Sequence, residues 1–293
     1  EMFEDVPLSE VCSTARSLGY HGLELAPFTL CRNAYEFSVD ARKEAGRIVR
    51  DHGLEVVGLH WLYVGTENMH MTSPCKTLWS AARDYLEALI GICADMDGTV
   101  LVIGSPNQRS LTDGQSYEDG WHRATALFES VLDAAAERNV TLCVEPLSPK
   151  ETDFLNTVSD GVKMVHELDH PNFKVHLDVK AMSAEDGEVA EIIRATRLED
   201  IGHFHVNDPN LYGPGMGDVD YGPIAEAVNK VGCVAWWSRT RGGFVLGWPA
   251  QGLGERLWPM APSEARKAGP VFTASGDHVA VAHGGTVHVF ETL

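Results

Sequence analysis

The sequence predicts an α/β protein of the closed (β/α)8 barrel kind, present in incomplete form. Three observations carry the prediction. Apolar runs of strand length alternate with helical patterns along most of the chain, the pattern of parallel βαβ units. Three successive runs, residues 140–147, 172–180 and 201–208, each hold near their ends a side chain able to bind a metal or move a proton: Glu145, Asp178 and His205. A chain of 293 residues is long enough for one such barrel, or for two smaller domains, and can bury a core.

Each of the three runs is β-branched or aromatic in flavour and bounded by turn residues, so each reads as a buried strand. A carboxylate or imidazole at the end of a buried strand is costly unless something pairs with it. Taken singly, an Asp there is commonly a helix cap or a loop hydrogen-bonder. Repetition changes the reading. Helical patterns over 157–168 and 185–197 separate the runs, and in a closed barrel the C-terminal ends of the strands meet at one face. Glu145, Asp178 and His205 are therefore expected to converge on one divalent metal.

In chain order, a helix is expected over 8–18, with Val11, Ala15 and Leu18 at helical spacing and Gly19 as its stop. A barrel needs a strand before that helix, and the few residues ahead of it suggest an N-terminally truncated fragment. Residues 21–28 form the next expected strand, with Glu24 inside it. A helix follows over 40–51, then a strand over 55–63 that carries His60 and Trp61. Next come a long helix over 74–96, a strand over 99–104 and a helix over 117–138. After the three runs, a last helix is expected over 223–231.

Past Gly232 the alternation stops. Residues 233–293 contain five Lys/Arg and four Asp/Glu, so the excess acid behind the formal charge of −19 lies in the preceding part. They also hold four of the seven tryptophans, Trp236, Trp237, Trp248 and Trp258. Residues 271–290 read as a β-hairpin, the wrong period for the closing helix of a barrel. The division expected is a barrel over 1–232 and an atypical tail over 233–293, disordered or read in a changed frame. Sequencing the encoding DNA against a neighbouring frame tests that, the alternative being a genuine loop-rich extension.

Composition narrows the class. The acidic balance argues against a phosphate-backbone partner, so no nucleic acid is expected. Cys12, Cys31, Cys75, Cys93, Cys143 and Cys233 show neither CxxC nor CxC spacing, which suggests no zinc knuckle, no disulfide framework, and a reduced, cytoplasmic setting. No run of about eighteen apolar residues exists, and no membrane partner is expected. Gly213-Pro-Gly-Met-Gly217 is not a dinucleotide fingerprint, and Asp218 and Asp220 fit a turn and a helix cap.

Residues 1 to about 232 resemble the xylose-isomerase-like TIM barrel superfamily, in particular the sugar phosphate isomerase/epimerase proteins, which include ketose 3-epimerases and hydroxypyruvate isomerases. The resemblance rests on Gly22-Leu-Glu-Leu-Ala-Pro27, Val56-Val-Gly-Leu-His60, Val144-Glu-Pro-Leu147, His176-Leu-Asp-Val-Lys-Ala-Met182, His203-Phe-His-Val-Asn-Asp208 and Gly215-Met-Gly-Asp-Val-Asp220, in order and at barrel spacing. It implies a sugar or small keto acid substrate and one divalent metal held by Glu, Asp, His and a second Glu. The first three match Glu145, Asp178 and His205. The second Glu has no match in this sequence, since the nearest apolar run, Cys233-Val-Ala-Trp-Trp-Ser-Arg239, contains no carboxylate. Epimerisation beside a carbonyl removes a proton from carbon, passes through an enediolate and returns the proton. The two glutamates serve as the acid/base pair in the family, so with Glu145 as one half the chain is expected to be weakly active or inactive. Mn²⁺, Mg²⁺ or Co²⁺ suits such an oxygen-rich set.

Further candidates follow from the resemblance. His60 and Trp61 would line the substrate pocket, the indole offering a face to a sugar, or His60 would be a hydrogen-bonded rim residue. Glu151 and Asn156 lie where family members touch substrate or brace the metal site, and Asn156 is also placed to cap the next helix. Lys180 would steady an enediolate or a phosphate, or sit on the surface. His176 and His203 share the strand faces of Asp178 and His205, one layer deeper. The family also implies a homo-oligomer. Two other readings are a non-catalytic sugar-binding or structural barrel and a three-zinc AP endonuclease. The endonuclease would want histidines where Gly104 and Ala181 stand, and a basic groove.

Overall fold

The computed structural model describes residues 3, 5–112, 114–211, 214 and 217–231, and the backbone of the strand segments 236–237, 270–272, 278–283 and 286–291. The chain divides into a central unit, residues 24–47 and 56–176, and a terminal unit, residues 1–23, 48–55 and 177–293.

The central unit is built on parallel strands whose residues are apolar on both faces. It holds half of β1 (Gly22–Leu25), most of β2 (Glu55–Leu59) and β5 (Phe173–Asp178), and all of β3 (Val100–Ile103) and β4 (Thr141–Val144). β2 pairs with β3, β3 with β4, and β4 with β5, all parallel, with Gly58 opposite Val100, Leu101 opposite Leu142, and Val144 opposite Val175. Strands covered on both faces read as continuous apolar runs rather than as an alternation, which is what Val-Leu-Val-Ile and Thr-Leu-Cys-Val show. Gly58 lets β2 approach β3, since a Cβ there would overlap the Val100 carbonyl.

Helices α2 (Val39–Asp51), α3 (Lys76–Asp95), α4 (Tyr117–Glu137) and α5 (Val158–Leu168) follow the strands. In α3, Ala82, Tyr85, Leu86, Leu89, Ile90 and Cys93 repeat at three and four residues and are buried, the stripe of a helix laid on a core. Two helix starts are fixed by the same device. Ser116 Oγ accepts from the Asp119 amide at 3.1 Å and donates to its carboxylate at 2.8 Å, and Thr157 does the same with Asp160 at 3.1 and 2.9 Å.

The terminal unit contains α1 (Leu8–Ser17), α6 (Val179–Met182), α7 (Val189–Ala195), β6 (Ile201–Val206), α8 (Tyr221–Val231) and β7 (Trp236–Trp237). β7 runs parallel to β6, with His205 opposite Trp236. The backbone of β8 (Pro270–Phe272), β9 (His278–His283) and β10 (Thr286–Glu291) forms an antiparallel sheet in the order β10-β9-β8, so the expected hairpin is present. The other residues beyond Val231 lie outside the described residues, and with them the expected change of frame.

Several element ends differ from expectation for local reasons. The strand expected over 140–147 stops at Val144, ahead of Pro146, although the Glu145 amide still donates to the Ile103 carbonyl at 3.1 Å. The strand expected over 172–180 stops at Asp178, whose carboxylate caps α6, so Val179 and Lys180 are helical. The helix expected over 185–197 shortens to α7, because Gly187 takes φ 112°.

Candidate metal centre

In the central unit the site begins where β3 and β4 end. Glu145, the first residue after β4, is largely buried, and its Oε1 lies 3.9 Å from His176 Nε2 on β5. Its carboxylate occupies the space over Gly104, where a Cβ would overlap Oε2. Arg109 secures the same loop. Its Nη1 donates to the Ile103 carbonyl at 3.3 Å and to the Glu145 carbonyl at 2.7 Å. Burial pushes this guanidinium down to about 10, and the charges of Glu145 and Glu151 act in the opposite direction.

Beside β1 and β2, the His60 amide donates to the Leu25 carbonyl at 3.1 Å, and the His60 ring pairs through Nδ1 with Glu24 Oε1 at 2.7 Å. Both side chains are buried, so each satisfies a polar group that would otherwise face a low dielectric. We expect Glu24→Ala to lower stability by about 3 kcal/mol in equilibrium urea unfolding, because it strips a buried partner from His60. A loss under about 1 kcal/mol would show that His60 is held by its other contacts. The next residue, Trp61, has φ 51°, a conformation that costs a bulky residue about 1–2 kcal/mol. The residue is 44% exposed, and its ring centroid lies 6.4 Å from that of Phe28.

In the terminal unit, Asp178 ends β5. Its Oδ1 accepts from the Ala181 amide at 2.8 Å, and its Oδ2 accepts from Asn207 Nδ2 at 2.7 Å. Asp178 is therefore a helix cap that also presents a carboxylate to His205, whose Nδ1 is 3.9 Å from Oδ2. Burial raises the Asp178 carboxyl above its ordinary range, while His205 and the Ala181 amide pull it back. His203 packs edge-on against His205 with ring centroids 4.9 Å apart.

The donor chemistry fits a divalent ion. Each 3.9 Å separation is too long for a hydrogen bond, yet within the span of two bonds of about 2.1 Å to one centre. Carboxylates with imidazoles suit Mn²⁺, Mg²⁺ or Co²⁺.

Glu151 is exposed, on a turn where its amide donates to the Ser148 carbonyl at 2.8 Å. Asn156 does not cap α5, because Thr157 does. Its Nδ2 instead donates to the carbonyls of Leu147 and Thr152, both at 2.8 Å, and so braces the loop that follows Glu145. Lys180 is half-buried in α6, with its amide on Asn207 Oδ1 at 2.8 Å. Gly104, Arg109, Asn207 and the Glu24 partnership carried no sequence signal of their own beyond their nearness to strand ends. Among the described residues, no helix is long and apolar enough to cross a membrane.

A family model described as xylose isomerase-like TIM barrel matches residues 12–249. The chain is 33% identical over 112 residues to a D-psicose 3-epimerase of Ruminiclostridium cellulolyticum, covering 38% of each. It is 31% identical over 162 residues to an L-ribulose 3-epimerase of Mesorhizobium japonicum, covering 55% of this chain and 54% of that one. With a ketose 3-epimerase of Arthrobacter globiformis it shares 24% over 213 residues, 72% and 70% of the two chains. The chain thus spans about half or less of the length of the first two curated relatives. Among solved structures, D-psicose 3-epimerase with D-tagatose from Clostridium cellulolyticum H10 superposes with a TM-score of 0.71 at 21% identity, over 82% of each chain. The 3-keto-D-glucoside 4-epimerase of E. coli gives 0.70 at 16% identity, over 91% of this chain and 93% of that one. At these identities the likeness is one of fold.

Proposed function

The chain belongs to the xylose isomerase-like TIM barrel family, and from that premise we propose that it is a metal-dependent epimerase or isomerase of a ketose or small keto acid. The fold class is the family's, an α/β barrel in incomplete form, with six parallel strands, β1 to β6, each followed by helical structure. In this reading Glu145, Asp178 and His205 hold one divalent ion, Mn²⁺, Mg²⁺ or Co²⁺. One observation carries it. His176 and Asp178 stand two residues apart on β5 and so face the same side of one strand. Glu145 lies against the first of them and His205 against the second. The names of the relatives, epimerases of psicose, ribulose and other ketoses, support the substrate class.

The ion, when bound, supplies a Lewis acid for the carbonyl and hydroxyl oxygens beside the reacting carbon. The chain's own residues do the rest. Glu145 is the base assigned to take the proton from the carbon next to the carbonyl and to return it. Gly104 leaves room for its carboxylate, and Arg109 fixes its main chain. Asp178 and His205 hold charge and direction at the ends of β5 and β6. His60 and Trp61 offer a rim with an aromatic face to the sugar, and Glu151, Asn156 and Lys180 are the remaining substrate-side residues of the proposal. An AP endonuclease is disfavoured, because the Glu145 carboxylate fills the space over Gly104 and the chain carries a formal charge of −19.

With one base assigned, proton removal and return occur on one face, so exchange outruns inversion. The test is incubation with Mn²⁺ and a panel of psicose, fructose, ribulose, tagatose and hydroxypyruvate in D2O, followed by NMR. The expected result is deuterium entering beside the carbonyl of at least one of them, stopped by chelator and restored by Mn²⁺. A chain that binds Mn²⁺ but exchanges no proton of any of them would instead be a sugar-binding or structural barrel.

A further inference from the structure

We infer that Asn207 is a positioning residue that sets the orientation of the Asp178 carboxylate toward the metal, an inference that rests on the metal site proposed above. A primary amide has one acceptor end and one donor end of nearly the same shape, so its partners set which end is which. Here the neighbours decide. The Lys180 main-chain N–H, which can only donate, lies 2.8 Å from one end of the Asn207 amide, so that end is the oxygen Oδ1. Nδ2 must then face Asp178 Oδ2, an acceptor, and it does so at 2.7 Å. The amide thus ties the end of β6 to the start of α6 and to the last residue of β5.

The result for Asp178 is a carboxylate held at both oxygens. Oδ1 takes the Ala181 N–H and Oδ2 takes Asn207 Nδ2, leaving each oxygen a further lone pair and the carboxylate plane without freedom to turn. Asn207 is itself fixed, since the buried Tyr221 hydroxyl donates to its carbonyl at 2.7 Å. Burial also pushes the Tyr221 phenol far up, which keeps it a donor. A glutamine would place the amide about one bond too far. An aspartate could accept from Lys180 but would set carboxylate against carboxylate. Leucine keeps the volume and loses both hydrogen bonds. Partners that orient a ligand in this way commonly change metal affinity by about 10–100-fold when removed.

The experiment measures Mn²⁺ binding by calorimetry, and the spectrum of bound Mn²⁺ by electron paramagnetic resonance, for the full chain and for Asn207→Leu and Tyr221→Phe. Asn207→Leu is expected to weaken Kd by about 10–100-fold and to broaden the spectrum, with the near-UV circular dichroism of the fold retained. Tyr221→Phe, which leaves the amide in place and loosens only its backbone, is expected to weaken Kd by a smaller factor. A folded Asn207→Leu protein with the Kd and spectrum of the parent overturns the inference. Should Asn207→Leu fail to fold, an unchanged Kd for Tyr221→Phe overturns it. A parent chain that binds no Mn²⁺ at all overturns the metal site itself, and this inference with it.

Discussion

Asp178→Ala is expected to remove Mn²⁺ binding, weakening Kd by at least about 100-fold in calorimetry, while the protein stays folded. The residue supplies the carboxylate that stands 3.9 Å from His205 Nδ1, and no neighbouring side chain on α6 can replace it. Its structural duty is smaller. Losing the cap on the Ala181 amide costs about 1 kcal/mol and taking the acceptor from buried Asn207 Nδ2 costs about 1–3 kcal/mol, and part of that is returned because a buried negative charge is removed. The pH dependence follows from the direction of the shift. Burial raises the Asp178 carboxyl above its unfolded value, so its contribution to the metal-free fold is complete below that unfolded value and is lost as pH rises through the folded one. Metal binding needs the anion and runs the other way. With chelator present, the parent should lose stability relative to Asp178→Ala as pH rises from the ordinary carboxylate value of 3.8 through the raised one, whereas its affinity for Mn²⁺ should fall as pH is lowered over the same range. Urea titrations and calorimetry at the two ends of the range check both signs. A metal-free parent that gains on the variant as pH rises would contradict the assignment of the shift to burial.

Gly104→Ala is the second large effect, and it should separate function from stability. The added methyl overlaps Glu145 Oε2, the far end of a flexible side chain, so the carboxylate can swing aside without moving the backbone. The stability change should therefore stay within about 1 kcal/mol, the range of an ordinary surface or loop substitution. Proton exchange into substrate should fall by about 100-fold or more, because displacing a reacting group by about 1 Å is enough for that. Exchange rates in D2O with Mn²⁺ and a urea curve on the same preparation decide the matter. Equal exchange rates would mean that Glu145 works from a different rotamer, and that the space over Gly104 is not its working position.

Some of this was open to reading because local physics leaves a mark on composition. Strands covered on both faces become unbroken apolar runs, so β3, β4, β5 and β6 were found. In the structure Ser116 and Thr157, each three residues ahead of an Asp, fix the starts of α4 and α5. The ends of the strands were read too long. Whether Glu145 and Lys180 continue a strand depends on a proline and on a side-chain cap, and not on hydrophobic period. Asn156 shows the same limit, since its position suits a helix cap while its amide is taken by the Leu147 and Thr152 carbonyls.

The sequence by itself determined the order of the elements and the residues that stand at their ends, Glu145, Asp178 and His205, because a strand period of two dictates which side chains share a face. Only the tertiary structure decided how those ends are held. Arg109 reaches the Glu145 carbonyl across thirty-six residues of chain, Asn207 meets Asp178 across twenty-nine, and His60 meets Glu24 from the neighbouring strand. Such contacts leave no periodic trace, because they depend on the paths of loops and on which buried donor finds which acceptor once the strands have paired.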